Sequence, residues 1–258
     1  MGETAEKARL LYEDDQMKHL FLTSSPFTEL GKPFTEKNKF AERFIASLRG
    51  KRRALMITAA PSDTAFTEDH SFAIRFTMEL TGIEFEDYVI LDDRNKEQAK
   101  ELVRWSNFII LGGGHAPTQN AFFAEIGLRD LLKDFEGTVF GISAGSMNAA
   151  DVVYAQPELE GEGIDPDFEK YLPGLDLTKT RLIPHYQEIR DKILDGKRLF
   201  EDITCPDSIG KQFFALCDGS YLYSDGFSER ICGEAWLISD GSIRKICEEE
   251  EEYCLNIR

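Results

Sequence analysis

Short apolar runs of strand length alternate with amphipathic segments through the first half of the chain, and this alternation restricts the possible folds most strongly. Strands are predicted at 19–24, 54–59, 87–91, 107–111 and 138–142. The segments between them have helical spacing at 38–48, 67–80, 95–105 and 118–135. Strands that are apolar almost throughout must be covered on both faces, which is typical of parallel sheets with helical crossovers. The pattern predicts an α/β fold with a mostly parallel sheet sandwiched between helices.

The C-terminal part of the chain has a different rhythm. Short alternating segments are interrupted by Asp-Gly pairs at 218–219, 225–226 and 240–241, which predict antiparallel hairpins across 218–247. A short strand at 181–184 and a helix at 188–200 are expected just before this region. We interpret 1–258 as a single α/β domain, with 1–17 as an N-terminal extension.

Composition excludes several classes of partner. The net charge of −17 argues against nucleic acid and anionic membranes, which require basic surfaces. No apolar run is long enough to span a bilayer, and the charged N-terminus lacks the apolar core of a secretory signal. Five cysteines without a C-x-x-C pair fit reduced thiols better than a disulfide framework or a zinc site. We therefore expect a cytoplasmic protein, a monomer or homodimer, with no metal and no cofactor.

The segment TVFGISAGSMNAA, residues 138–150, carries the strongest functional signal. Its Gly141-Ile142-Ser143-Ala144-Gly145 core fits the G-x-S-x-G nucleophile elbow, in which a serine occupies a strained turn between a strand and a helix. The residues two positions before and after the serine crowd each other in that turn, so both need to be glycine. The alternative interpretation is a glycine-rich turn that contains a serine by chance. The preceding strand and the small residues that follow favour Ser143 as a nucleophile.

A nucleophilic serine needs a base, and the chain has only four histidines: His19, His70, His115 and His185. The first two are expected to be ordinary surface or half-buried residues. His185 closes a predicted strand, where ligands bind in parallel sheets, and is favoured over His115 as the general base. A carboxylate must then orient the imidazole. Glu158, just after a short strand, is the first choice, and Glu160 is the second.

The glycine run LGGGH at 111–115 also follows a predicted strand. An oxyanion hole requires backbone N–H groups, which Ala144 and either Gly113 or Gly114 could supply. A phosphate-binding turn is the competing interpretation, but the run matches neither G-x-G-x-x-G nor the Walker pattern.

Together, FIILGGG, GISAGS, LIPHY and the closing GSYLYSDGFSERICGEAWLI resemble the dipeptidase E (α-aspartyl dipeptidase) family of serine peptidases, which includes cyanophycinase. The resemblance covers roughly residues 18 to 245. It implies a fold like that of class I glutamine amidotransferases, with Ser143 as nucleophile, His185 as base and Glu158 as the third member. Gly-Gly-Gly-His115-Ala-Pro-Thr departs from the family's Gly-Gly-Gly-Asn-Thr.

The resemblance further implies hydrolysis of small peptides, with N-terminal Asp-Xaa dipeptides as the family substrate. Recognition of an aspartyl side chain would need a basic residue after the histidine, and we expect His115 and Arg198 to bind the substrate. Other basic candidates are Arg190 and Lys197. Three alternatives stay open: a catalytically inactive or regulatory homologue, an amidotransferase-like enzyme and an esterase. The amidotransferase is disfavoured because its elbow carries cysteine.

Overall fold

The structure, a computed structural model, describes residues 18–27, 31–48, 50 and 52–255. The predicted extension at 1–17 lies outside the described residues. In chain order the strands are β1 Lys18–Thr23, β2 Arg52–Ile57, β3 Phe85–Leu91, β4 Phe108–Leu111, β5 Gly137–Ile142, β6 Val152–Tyr154, β7 Tyr171–Pro173, β8 Leu182–Ile183, β9 Ile193–Leu194, β10 Lys197–Arg198, β11 Gln212–Leu216, β12 Tyr221–Ser224, β13 Glu229–Cys232, β14 Ala235–Ser239, β15 Ser242–Cys247 and β16 Glu252–Leu255.

The α-helices are α1 Phe40–Ser47, α2 Thr64–Leu80, α3 Ala99–Trp105, α4 Ala116–Glu125, α5 Leu128–Leu131, α6 Ala144–Asn148, α7 Tyr186–Ile189 and α8 Cys205–Asp207. Short 3-10 turns at Lys37–Lys39 and Lys96–Gln98 precede α1 and α3, and a π-helix at Leu199–Thr204 precedes α8. Among the described residues, no helix combines the length and the apolar character needed to span a bilayer.

The main sheet has eight strands within the described part of the chain, in the order β16-β13-β12-β1-β5-β4-β2-β3. The five strands β1-β5-β4-β2-β3 of this order run parallel to one another. On the other side of β1, the strands β12, β13 and β16 add antiparallel pairs. The α/β prediction with a mostly parallel sheet and antiparallel C-terminal strands is therefore confirmed.

Alternate residues of the central strands enter two separate cores, which explains their continuous apolar sequences. In β2, Leu55 and Ile57 pack with α3 and α4, whereas Ala54 and Met56 pack with α1 and α2 on the opposite face. The second face is rich in phenylalanine: the Phe44 ring lies 4.8 Å from the ring of Phe140 and is fully buried. The helices thus cover both faces of the sheet.

A second sheet of four strands, in the order β15-β14-β11-β8, lies in the C-terminal half. Its β8 and β11 are parallel, with Ile183 opposite Ala215. The chain then passes from β11 in this sheet to β12 in the main sheet, and Asp218-Gly219 lies in that crossing. The Asp-Gly pairs at 225–226 and 240–241 do join paired antiparallel strands, but the pair at 218–219 does not.

Two predicted helices differ from the observed ones. The segment predicted as one helix at 118–135 is two helices, because Gly127 adopts a left-handed φ of 64° between them. The predicted helix at 188–200 is wrong: after the four-residue α7, the chain forms the β9–β10 hairpin and then the π-helix. Asp195 and Gly196 both have positive φ, 53° and 76°, and such a turn reverses the chain and ends the helical path.

Candidate active site

Ser143 lies between β5 and α6 in a backbone conformation that side-chain-bearing residues rarely adopt, with φ 51° and ψ −112°. A Cβ on Gly145 would lie 2.2 Å from the carbonyl oxygen of Leu111, and one on Gly141 would lie 2.9 Å from the amide nitrogen of Ser146. Only glycine fits at these two positions. The serine amide donates to the carbonyls of Thr23 and Ser24 at the end of β1. The local sequence therefore forms the strained turn that the G-x-S-x-G motif predicts.

His185 faces this serine from the second sheet. Its Nε2 lies 2.9 Å from Ser143 Oγ, and its Nδ1 lies 2.9 Å from Asp218 Oδ1. The three side chains form a continuous hydrogen-bonded relay in which each group can pass a proton or orient its neighbour. Because β8 and β11 are parallel, their carboxyl ends lie at one edge of the second sheet, which places His185 and Asp218 side by side.

Two further polar residues fix the relay. The Ser24 hydroxyl donates to Asp218 Oδ1 at 2.7 Å and accepts the backbone N–H of His185 at 2.7 Å. The Gln187 amide donates to Asp218 Oδ2 at 2.7 Å, and its oxygen accepts the Asp218 backbone N–H at 3.0 Å. Each oxygen of the carboxylate therefore has a donor in addition to the imidazole bond, and these bonds restrict the orientation of the carboxylate beside His185.

The charges of the relay shift its pKa values in opposite directions. Burial by itself lowers the pKa of His185, but the hydrogen bond and negative charge of Asp218, aided by Glu188 and Glu158, outweigh burial and raise it. Burial by itself raises the pKa of Asp218, but the His185 hydrogen bond and charge, with Ser24 and Gln187, leave it lowered. Each partner thus favours the charged form of the other.

The structure differs from the sequence-based choice of the third member. Nδ1 of His185 pairs with Asp218, and the polar contacts of Glu158 are made by its backbone: its N–H donates to Glu162 and its carbonyl accepts from Lys192. Glu158 lies near enough for its charge to raise the pKa of His185. Glu160, the second choice, is an exposed residue of the same loop. Glu158 was chosen because it lies between Ser143 and His185 in the sequence, just after a short strand. In the structure, the crossing from β11 to β12 brings Asp218 to the imidazole instead.

The glycine run after β4 passes beside the serine. A Cβ built on Gly113 would lie 3.5 Å from Ser143 Cβ. The Gly113 N–H donates to Nε2 of His70 at 3.3 Å, and burial lowers the pKa of His70, which favours the neutral imidazole that can accept this bond. Gly114 has φ 149°, and a Cβ there would approach Ala59 Cβ to 2.7 Å. Ala144 is the first residue of α6, directly after the serine.

The two residues predicted to bind substrate have other partners. His115 Nδ1 lies 2.8 Å from Thr118 Oγ1, and its Nε2 lies 2.9 Å from Glu162 Oε1. Arg198 pairs with Asp202 through two nitrogens, at 2.7 and 3.1 Å, and its side chain is 61 % exposed. His115 follows the glycine run beside Ser143, whereas the guanidinium of Arg198 is engaged on the surface of the β9–β10 hairpin and the π-helix.

His185, Glu188 and Asp218 place their ligand atoms within 4.8 Å of one another, the spacing of a metal site. Both ring nitrogens of His185 are, however, hydrogen-bonded to Ser143 and Asp218. The arrangement therefore fits a proton relay with Glu188 at its edge.

Sequence reasoning missed several residues of the site: Ser24, His70, Glu162, Gln187 and Asp218. Ser24 could have been found from its position, because it follows β1 as Ser143 follows β5, and ligands collect at such strand ends. Asp218 had a local signal of a different kind, since Asp-Gly predicts a hairpin turn.

Comparison with solved structures shows the same fold in peptidases. A peptidase from an acI-B1 Actinobacterium aligns with a TM-score of 0.61 and 16 % sequence identity, over 95 % of this chain and all of that one. A putative peptidase E protein from Listeria monocytogenes EGD-e aligns with a TM-score of 0.55 and 16 % identity, over 89 % of this chain and 99 % of that one. No curated protein sequence matches at a significant level.

The sequence model of peptidase family S51 matches residues 20–228, which is most of the chain, and this match together with the shared fold defines the class of the protein as a serine-type peptidase. The chain belongs to peptidase family S51. The expected resemblance to the peptidase E proteins is confirmed at the level of family and fold.

Proposed function

We propose that this protein hydrolyses small peptides through an acyl-enzyme, with Ser143 as nucleophile, His185 as general base and acid, and Asp218 as the carboxylate that orients His185. The hydrogen-bonded relay from Ser143 Oγ through the imidazole to Asp218, at 2.9 Å for each contact, is the observation that carries the proposal. This geometry is that of a serine-histidine-carboxylate triad, which is recognised by its roles and not by its order in the chain.

In the first half of the reaction, Ser143 Oγ attacks the peptide carbonyl carbon while its proton passes to His185 Nε2. The tetrahedral intermediate then collapses, the C–N bond breaks, and His185 gives that proton to the leaving amine. In the second half, a water molecule attacks the acyl carbon and transfers a proton to His185, which returns it to Ser143 as the acid product leaves. Asp218 stabilises the imidazolium formed in each half.

The negative charge of the tetrahedral intermediate needs N–H donors. We assign this role to the amides of Ala144 and Gly114. Ala144 directly follows the nucleophile at the start of α6. The Gly113 amide, the other candidate, already donates to His70, so Gly113 and His70 would hold the glycine run in place beside the serine.

The substrate is proposed to be a short peptide with a free amino terminus. Glu158 and Glu188 act on His185 with negative charge, and negative surroundings favour the ammonium group of such a peptide. N-terminal Asp-Xaa dipeptides belong in the test because of the family resemblance. The cations expected to select aspartate are engaged elsewhere: Arg190 with Asp191, Lys197 with the Gly163 carbonyl, and Arg198 with Asp202.

The proposal is tested with a fluorophosphonate probe and a panel of X-Leu dipeptides, in which X is acidic, neutral or basic. We expect a single covalent adduct on Ser143 and cleavage of at least one dipeptide, with both lost in Ser143→Ala. Circular dichroism would show that this variant keeps its fold. A folded wild-type protein that forms no adduct and cleaves no dipeptide would contradict the proposal and favour an inactive homologue.

A further inference from the structure

The loop at residues 158–163, called the strap here, is hydrogen-bonded to two segments of the chain, one that follows the glycine run beside Ser143 and one that follows His185. It is not part of the relay itself, and its sequence, ELEGEG, indicates only a polar loop. The structure nevertheless gives it a dense set of hydrogen bonds. Its partners outside the strap lie on two separate segments of the chain.

On one side, the strap is held by His115. Glu162 Oε1 lies 2.9 Å from His115 Nε2, while Glu162 Oε2 accepts the backbone N–H groups of Glu158 and Leu159 at 2.8 and 2.9 Å. Thr118 Oγ1, 2.8 Å from His115 Nδ1, fixes the orientation of the ring. The Glu162 side chain is only 15 % exposed, so these charge-assisted bonds are partly shielded from water. We call the His115–Glu162 contact the clasp.

On the other side, the strap is held by the segment that follows His185 and α7. Lys192 Nζ donates to the Glu158 carbonyl at 2.9 Å. Asp195 accepts the N–H groups of Gly161 and Gly163 at 2.8 and 2.9 Å, one on each oxygen. A Cβ on Gly163 would lie 2.9 Å from that carboxylate, so glycine permits the close approach.

The two anchoring segments border the nucleophile. His115 directly follows Gly113 and Gly114, and Gly113 passes beside Ser143. Lys192 and Asp195 follow the helix that begins after His185, whose Nε2 lies 2.9 Å from Ser143 Oγ. The strap is tied to both segments, and Glu158 within it lies near enough to His185 for its charge to act on the imidazole, so the strap borders the site.

We infer that His115 and Glu162 are positioning residues that hold the strap as an outer wall of the active site, and that this wall limits the substrate to short peptides. This inference rests on the proposed peptidase function and deepens it. The histidine that departs from the family's Gly-Gly-Gly-Asn-Thr sequence would thus fix the wall and not contact the substrate. A longer peptide would have to displace the strap, and the clasp opposes that displacement.

The test uses His115→Ala, Glu162→Ala and the double variant, with His115→Gln as the conservative replacement that can still donate to Glu162. Glu125→Gln is the matched control, because it removes an ion pair with Lys96 at the other end of the same helix α4. Two quantities are measured: hydrogen exchange of peptides covering 156–166, and kcat/KM for a dipeptide relative to a hexapeptide with the same N-terminal residue.

We expect the alanine variants to exchange at 156–166 at least about tenfold faster, the factor expected for loss of a charge-assisted hydrogen bond. The preference for the dipeptide should fall by about the same factor. His115→Gln should recover part of both effects, the double variant should add little to either single variant, and Glu125→Gln should match the wild type. Unchanged hydrogen exchange at 156–166 in both alanine variants would contradict the inference that the clasp holds the strap.

The failure of this inference can be distinguished from the failure of the proposed function. A wild-type protein that is not labelled on Ser143 and cleaves nothing would overturn the peptidase proposal, and the length limit with it. Normal labelling of Ser143 with an unchanged dipeptide preference in the alanine variants would overturn the length limit alone.

Discussion

Replacing Asp218 by asparagine tests the proposed triad most directly, because the substitution removes the charge and keeps the size of the side chain. Oδ1 of Asp218 accepts from both His185 and Ser24, and Oδ2 accepts from Gln187. Asparagine has one oxygen and one NH₂ group, so it can accept hydrogen bonds at only one of the two carboxylate positions. Its NH₂ group then faces either the N–H donor of the imidazole or the N–H donor of Gln187, and two donors cannot bond to each other.

The size of the effect follows from two losses. The charge-assisted hydrogen bond to the imidazole, 2.9 Å long, is worth about 1.5–3 kcal/mol, or roughly 10- to 150-fold in rate. An amide donor opposite Nδ1 also favours the tautomer in which Nε2 carries the proton and cannot accept one from Ser143. In a serine protease triad this change lowers kcat by about 10⁴-fold. We therefore expect kcat/KM of Asp218→Asn to fall by about 10³- to 10⁴-fold.

The assay is steady-state cleavage of the best dipeptide from the panel, with Glu158→Gln measured in parallel. Glu158 acts only by its charge, on His185 and on the proposed substrate ammonium group, so its replacement should lower kcat/KM by no more than about tenfold at moderate ionic strength. Thermal unfolding of both variants controls for loss of fold. The reasoning would be refuted if Glu158→Gln lost more activity than Asp218→Asn, since the carboxylate predicted from the sequence would then be the functional one.

Two further predictions concern pH and packing. His185 must be neutral to accept the serine proton, and its pKa is raised, so kcat/KM should increase with pH through a midpoint above 6.5. In Asp218→Asn that midpoint should move to lower pH, because burial lowers the pKa of His185 and the charge of Asp218, which opposes this effect, is gone. Gly145→Ala should reduce the free energy of unfolding by about 3 kcal/mol or more, measured by urea denaturation, because its Cβ would lie 2.2 Å from the Leu111 carbonyl oxygen. An unshifted pH profile in the first case, or wild-type stability in the second, would contradict the respective argument.

The parallel part of the fold could be predicted because its signal is local. Each central strand is a short apolar run, and the alternate residues of β2 serve the cores on both faces of the sheet. The prediction for the segment 188–200 failed although the signal that decides its structure is also local, because Asp195-Gly196 is an Asp-Gly pair of the kind that forms hairpin turns. Its helical spacing was overridden by Asp195 and Gly196, whose left-handed backbone forms a hairpin. The split of the helix at 118–135 has the same kind of cause at Gly127.

Two of the three members of the relay could be predicted from the sequence, and the third could not. Ser143 and His185 each stand at the end of a predicted strand, so a local motif and a general rule of parallel sheets brought them together. Asp218 carries a turn signal, and nothing local indicates that β11 and β12 belong to different sheets. Its contact with the imidazole depends on that long-range pairing. Glu158 was a reasonable choice only while the acid was sought between the serine and the histidine.

The groups proposed to react are divided between the two sheets: the serine follows a strand of one, and the imidazole and carboxylate follow two strands of the other. Neither sheet contains a working site by itself. The proposed hydrolytic relay therefore forms only when the two sheets dock during folding, and a chain that has completed only its larger sheet holds the serine without its base. Because the serine precedes its proposed partners in the sequence, the relay cannot form during synthesis of the chain until Asp218 has been made.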